Sequence, residues 1–379
     1  MNVVIAIDSF KGSLSSLAAG KAVETGIRRV YSNADITVRP IADGGEGTLE
    51  AVMFALNGQK RTVTVNDPLF RQIESSYVIA DDTAFIEMAT ASGLTLLSPE
   101  ERDPMHTSTF GTGELIKDAI HQGVKNFIIG IGGSATNDGG VGMLSALGFE
   151  FIDKHGNIVP HGAKGLENLS GIRFDNVLDQ LHDCTFKIAS DVKNPLCGDL
   201  GCSAVFGPQK GATSDMIKKM DTWMCAYAEL TKKHIPSANP NYEGSGAAGG
   251  LGFAFRSYLG AALASGIDLI IKETKLEDYI KNADIVITGE GKLDEQSCMG
   301  KAPIGVARLA KKHEKIVIAF SGAVSSNTTL CNNYGIDAFF PAVRMPCSLE
   351  EAMNPENARS NLSDTAEQVF RIINTITKK

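Results

Sequence analysis

The chain has no run of about eighteen apolar residues, so it carries no recognisable membrane-spanning helix. It also lacks any Lys/Arg-rich stretch, which removes the electrostatic footprint of a nucleic-acid binder. Over 379 residues the formal net charge is −8, so an anionic ligand needs a locally positive pocket within an acidic protein. The seven cysteines, at 184, 197, 202, 225, 298, 331 and 347, include no Cys-x-x-Cys pair and are odd in number. They fit reduced thiols better than disulfides or a zinc site. Met1–Asp8 is too short, and lacks the charged leader, for a secretory signal, so a soluble cytoplasmic protein is expected. Histidine is absent from the polar loops described below, which ranks His-centred triads and zinc hydrolysis low. There is no Gly-x4-Gly-Lys-Ser/Thr run, no dinucleotide-spaced Gly-x-Gly-x-x-Gly opening a helix, and no protein-kinase signature set.

What the chain has in abundance is glycine, 39 residues, gathered into clusters rather than spread. The clusters fall between segments of strand and helix character. Val3–Ile7 reads as a buried strand, followed by an amphipathic helix over Ser13–Val30 with Leu14, Leu17, Ala22 and Ile27 on its apolar positions. Ile36–Ile41 and Thr48–Leu56 repeat the strand–helix order. Arg61–Val65 and Ile73–Ile79 instead alternate apolar with polar residues, which predicts antiparallel strands. Strict alternation of strand and helix returns over the last hundred residues. The pattern predicts two α/β domains. A discontinuous Rossmann-like (flavodoxin-like) domain is built from 1–65 and 285–379, and a mixed α/β domain, 66–284, is inserted with glycine-rich loops.

Five polar glycine loops follow strand-like segments, where α/β folds place ligands. In Asp8-Ser9-Phe10-Lys11-Gly12-Ser13, a carboxylate beside a lysine suits a metal or a phosphate; helix capping would account for Ser13 but not for Asp8 or Lys11. In Asp43-Gly44-Gly45-Glu46-Gly47-Thr48, two acids among glycines suit hydroxyl groups or a divalent ion. The run Gly130–Gly140 offers the amides of Gly132, Gly133, Gly139 and Gly140 and the side chains of Ser134, Thr136 and Asn137 to phosphate oxygens, with Asp138 toward Mg2+. Asp191, after the strand at 185–190, is a candidate catalytic base or metal ligand; Lys210 is a candidate phosphate contact, or simply a solvated loop lysine. Gly289 and Gly291 flank Glu290, with Lys292, Asp294 and Lys301 beyond. The patch 246–252 fits a ligand clamp and tight helix packing equally well. Glycine amides with Lys, Asp, Ser and Thr form a set suited to magnesium-dependent phosphoryl transfer.

These loops resemble those of the bacterial class I glycerate kinases. The resemblance runs through Asp8–Ser13, Pro40–Thr48, Gly133–Gly140, Asp191–Leu196, Phe206–Gly211, Ile287–Gly291 and Gly300–Pro303, in the family's order along nearly the whole chain. Cys202, Lys292 and Ser297 depart from the residues usual there. Of these, only Lys292 touches an expected site, and it keeps the charge of arginine without its bidentate geometry. The resemblance implies ATP-dependent, Mg2+-assisted phosphorylation of D-glycerate, usually to 2-phosphoglycerate, in glycerate, glyoxylate or sugar-diacid catabolism. A glycerate 3-kinase, a kinase of another small hydroxy acid and a non-catalytic metabolite-binding regulator are the competing expectations. In the implied mechanism Gly132–Gly140, with Gly289 and Gly291, hold the nucleotide. Lys11 or Lys301 neutralises the transferring phosphoryl group, Asp191 accepts the glycerate proton, and Asp138 and Asp191 serve the metal. Asp8, Asp43, Glu46, Thr48, Glu290, Lys292 and Asp294 face the acid substrate. The state expected is a monomer or homodimer.

Overall fold

A computed structural model describes residues 1–295, 297 and 300–378; Cys298 lies outside the described residues. Thirteen strands form among those residues: β1 Asn2–Ile7, β2 Asp35–Val38, β3 Gln59–Asn66, β4 Gln72–Ala80, β5 Thr83–Glu87, β6 Asn126–Gly130, β7 Glu150–Ile152, β8 Gly171–Arg173, β9 Thr185–Ala189, β10 Ala262–Ala264, β11 Ile285–Leu293, β12 Ile316–Val324 and β13 Ala338–Pro341. Contacts divide the chain into two compact units. The first is Met1–Asp43, Glu50–Asn57 and Ile267–Lys379; the second is Gly44–Leu49 and Gly58–Gly266.

In the first unit, β13-β12-β11-β1-β2 form a five-stranded sheet in that order. Every pairing is parallel, with Val3 opposite Ile285 and Ile7 opposite Gly289 at its centre. Numbered within the unit, the order is 2-1-3-4-5, the flavodoxin-type arrangement, whose switch point lies between β1 and β11. Both faces are buried, which is why β1 reads as an unbroken apolar run rather than an alternating one. Val3, Ile5 and Ile7 pack with Ala19, Val23 and Ile27 of helix Ser16–Arg28 and with Leu362, Ala366 and Phe370 of helix Pro355–Thr377. Val4 and Ala6, on the opposite face, pack with Val286, Ile304 and Ala307. The first helix begins later than its apolar periodicity predicts. Ser15 is the N-cap and accepts from the Ala18 amide at 3.3 Å, and residues 10–14 form a tight turn closed by Phe10 and Leu14.

The second unit holds a six-stranded sheet, β10-β9-β6-β5-β4-β3. Its β10, β9, β6 and β5 are parallel, whereas β4 and β3 add an antiparallel hairpin. That hairpin contains the two alternating segments read as antiparallel from the sequence. A small hairpin, β7–β8, stands apart. Phe127 and Phe186 from adjacent strands stack at 4.8 Å in the core of this unit.

The division falls earlier than expected at both places. The expected break at 65/66 lies at 57/58, because β3 pairs along its whole length with β4. The expected break at 284/285 lies at 266/267, because Ile267, Leu276 and Ile280 pack on the face of the first unit's sheet that carries Val286. Both errors have one origin: local pattern shows an element but not which sheet will receive it.

Close backbone approach explains several glycines. A Cβ on Gly130, at the end of β6, would lie 1.8 Å from the Gly44 carbonyl oxygen. Gly130→Ala therefore forces the backbone apart. It is expected to cost about 1–3 kcal/mol, the usual range for overpacking, read as a lower denaturant midpoint with an unchanged slope.

Candidate active site

The carboxyl ends of β1 and β11 bring the first and last of the five loops together within the first unit. Asp8 follows β1 directly and Glu290 lies near the end of β11. A pocket of about 430 Å³ opens there. Its charged lining is Lys11, Asp43, Glu290, Lys292, Asp294 and Lys301, so six of the expected site residues share one cavity, with Gly291 beside them.

Electrostatics single this place out. Burial, reinforced by the Asp43 charge, pushes the Asp8 carboxyl up to about 8, against the opposing Ser9 amide and Lys11. Burial also raises Glu290, opposed by a hydrogen bond from Ser297 and the charge of Lys301. Three carboxylates sense one another with lysines at their side, an arrangement that favours either a retained proton or a bound cation. Several polar atoms are also unspent. Glu290 Oε1, Ser9 Oγ and Ser13 Oγ are buried with no partner in the protein, although Glu290, Ser9 and Ser13 all line the pocket. Buried polar groups are normally satisfied, so these three mark where a polar ligand belongs.

Ser9 and Ser13 are the site residues that sequence reasoning missed. Three serines, Ser13, Ser15 and Ser16, compete for the capping position, and the structure gives it to Ser15. Ser16 instead donates to the Ile7 carbonyl and accepts from the Ile41 amide at 3.0 Å, tying the end of β1 to the segment after β2. Ser13 is thereby left for the pocket. Lys292 is exposed and pairs with Asp294 at 3.5 Å. Gly289 is buried, and a Cβ there would lie 1.8 Å from the Phe320 carbonyl oxygen, so its glycine answers to β12 rather than to a nucleotide.

In the second unit, the glycine run is mostly interior. Only Gly132 and Gly133 are exposed; 134–140 are buried. The Ala135 amide donates to Ser92 O and the Gly139 amide to Gly249 O. Asp138 is fully buried and accepts from the Thr109 amide and hydroxyl, both at 2.8 Å, and from the amides of Gly140 and Gly142 at 3.0 and 3.2 Å. The anion at the start of helix Val141–Ala146 is thus the protein's own carboxylate, and both of its oxygens are spent. Asp138 therefore has no oxygen left for the expected Mg2+ role, and the amides of Gly139 and Gly140 are spent on Gly249 and Asp138, whereas Thr136 Oγ1 and Asn137 Oδ1 are buried with no partner in the protein. Glu87 performs a similar task at the 43–48 loop, accepting from the Leu49 amide at 2.8 Å. Thr48 spends its hydroxyl on the Gly45 carbonyl at 2.7 Å, while Glu46 is exposed.

The patch 246–252 is packing. Ala248, Gly249 and Gly250 all take positive φ, and a Cβ on Gly249 would lie 2.1 Å from the Thr136 carbonyl oxygen. Asp191 is exposed just past β9. Lys210 is neither a phosphate contact nor solvated: it is buried, and its Nζ donates to Ser134 Oγ at 2.7 Å and to Thr136 O at 2.6 Å. It is the internal strut of the glycine run. Among the described residues no three His, Cys, Asp or Glu side chains are grouped to hold a metal by themselves, and no helix is long and apolar enough to cross a membrane.

Comparison with known proteins extends this picture. The model of the glycerate kinase family matches residues 3–374. A "glycerate kinase" of Haemophilus influenzae is 44% identical over 375 residues, covering 98% of this chain and 99% of its own. A "glycerate 2-kinase" of Escherichia coli K12 is 46% identical over 354 residues, covering 93% of each chain. A crystal structure from Salmonella typhimurium LT2, assigned as a glycerate kinase 2, superposes with a TM-score of 0.91 at 44% identity and full coverage of both chains.

Lys210 makes a pH test possible. Burial lowers it from 10.5 to about 8, so between those values the unfolded chain binds the extra proton. The stabilising contribution is complete above 10.5 and is lost as pH falls through about 8. The stability of the wild type relative to Lys210→Met is therefore expected to rise from pH 7.5 to 10.5, by at most about 3 kcal/mol. Parallel denaturant titrations measure it, and a flat difference would refute the charge assignment.

Proposed function

The chain belongs to the glycerate kinase family, and we propose that it transfers the terminal phosphoryl group of ATP to D-glycerate, giving 2-phosphoglycerate. The observation that carries this reading is the pocket at the β1/β11 switch point, where Lys11 and Lys301 stand beside Asp8, Asp43 and Glu290. Phosphoryl transfer asks for positioning and charge stabilisation more than for covalent chemistry, and this side-chain set supplies both. The 2-position follows the name of the Escherichia coli relative. The non-catalytic regulator reading has no observation in its favour.

The roles divide as follows. Lys11 and Lys301 neutralise phosphate charge. Ser9 and Ser13 offer unspent hydroxyls to polar ligand atoms. Lys292, exposed and lining the same pocket, receives the carboxylate of the acid. Gly132 and Gly133 keep exposed backbone for a ligand. Asp191 accepts the proton of the reacting hydroxyl.

A divalent cation fits the donor set. Mg2+ commonly takes one or two protein carboxylates and completes its shell with water and phosphate oxygens. Glu290, with its unspent Oε1, would hold it together with Asp8 or Asp43. Bound there, the cation would offset charge on the donor's phosphates.

Coupling the product directly to enolase, with no mutase present, tests the regiochemistry. Immediate phosphoenolpyruvate is expected, and a signal that needs added mutase would assign the 3-phosphate. Asp191→Asn is expected to lower turnover by at least a hundredfold with little change in KM, the range for a lost proton acceptor. Near wild-type turnover would remove Asp191 from that role. Glu290→Gln is expected to weaken Mg2+ activation at least tenfold, seen as a higher Mg2+ requirement in steady-state assays.

A further inference from the structure

The pocket of the first unit has a second half that neither glycerate nor a phosphate chain explains. Beyond the charged residues it is walled by Phe10, Val343, Leu349, Ala352, Met353 and Ala358. These come from the turn after β1, the segment after β13, helix Leu349–Met353 and helix Pro355–Thr377. Its volume, about 430 Å³, falls in the range of roughly 300–1,000 Å³ typical of sites for drug-sized ligands. A three-carbon hydroxy acid is far smaller and has almost no apolar surface to match such a wall. The cavity is therefore amphipathic, with lysines, carboxylates and unspent hydroxyls in one part and aliphatic and aromatic surface in the other.

We propose that this apolar half seats the adenine base of the phosphoryl donor, so that the first unit holds the nucleoside as well as the charge-bearing groups. The proposal rests on the reading that a nucleoside triphosphate is the donor. That molecule has the same two-part character as the cavity, a flat, weakly polar heterocycle joined to a polyanion. Asn361 lines the pocket one turn of helix beyond Ala358. Its side-chain amide carries a donor and an acceptor together, the pair that matches the N6 and N7 edge of adenine. The glycine run of the second unit is thereby freed from holding the base, in keeping with its buried interior from 134 to 140.

Two substitutions and two probes test this. Ala352→Trp fills the apolar half. Leu349→Asp, at a position 74% exposed and so tolerant of change, puts a charge on its wall without touching a core. Calorimetry on the full chain would compare ADP with inorganic tripolyphosphate. Each variant is expected to weaken ADP at least tenfold while leaving tripolyphosphate affinity within twofold and the KM for glycerate within twofold. Equal weakening of both probes, or unchanged ADP affinity in a folded Leu349→Asp variant, would overturn the assignment. So would a rise confined to the KM for glycerate. Failure of the wild type to bind ADP at all would instead strike the donor reading itself, so the two failures are distinguishable.

Discussion

The parallel pairing of β1 with β11 is the constraint on which the candidate site depends. Where two adjacent parallel strands send their chains to opposite faces of a sheet, the space beyond their carboxyl ends stays uncovered. Val3–Ile7 and Ile285–Gly289 are in register, so Asp8 and Glu290 emerge side by side although 282 positions separate them in sequence. The apolar strands hold the register, and the register sets the depth and spacing of the carboxylates. Burial at that depth, with Asp43 nearby, is what raises Asp8. None of this requires an unusual residue in the sheet itself.

Much of the fold was legible because buried parallel strands, alternating antiparallel strands and amphipathic helices leave distinct periodicities. Helix Thr48–Leu56 matches its expected span, and the flavodoxin-like half follows from βα alternation at both ends. Sheet membership was not legible. The helices after 266 carry an apolar stripe that suits either sheet, and only the burial of Ile267, Leu276 and Ile280 in one core with Val286 decides it.

At the site, acidic and basic residues were easier to read than glycines. Lys11, Asp43, Glu290, Lys292, Asp294 and Lys301 all line one pocket, and Asp8 feels the charges of Asp43, Lys11 and Glu290. A missing side chain, by contrast, serves a ligand and a neighbouring backbone equally well. Gly130 makes room for Gly44, Gly289 for Phe320 and Gly249 for Thr136, whereas a methyl group on Gly132 would meet nothing nearer than 4.0 Å. The same ambiguity hid Asp138, whose place after Thr136-Asn137 resembles a metal ligand but whose partners are its own turn and Thr109. Lys210 was hidden too, because nothing local marks a lysine as buried.

The lining of the first unit's pocket begins at Ser9 and ends at Asn361. A chain growing from a ribosome completes the second unit's sequence while β1 and β2 still lack β11, β12 and β13. Those early strands carry an apolar run with no partner for most of synthesis, and loop closure across the insertion has to wait for the last hundred residues. The candidate pocket is therefore the last part of the first unit to be completed, and an incomplete product of translation that ends before β11 would lack it.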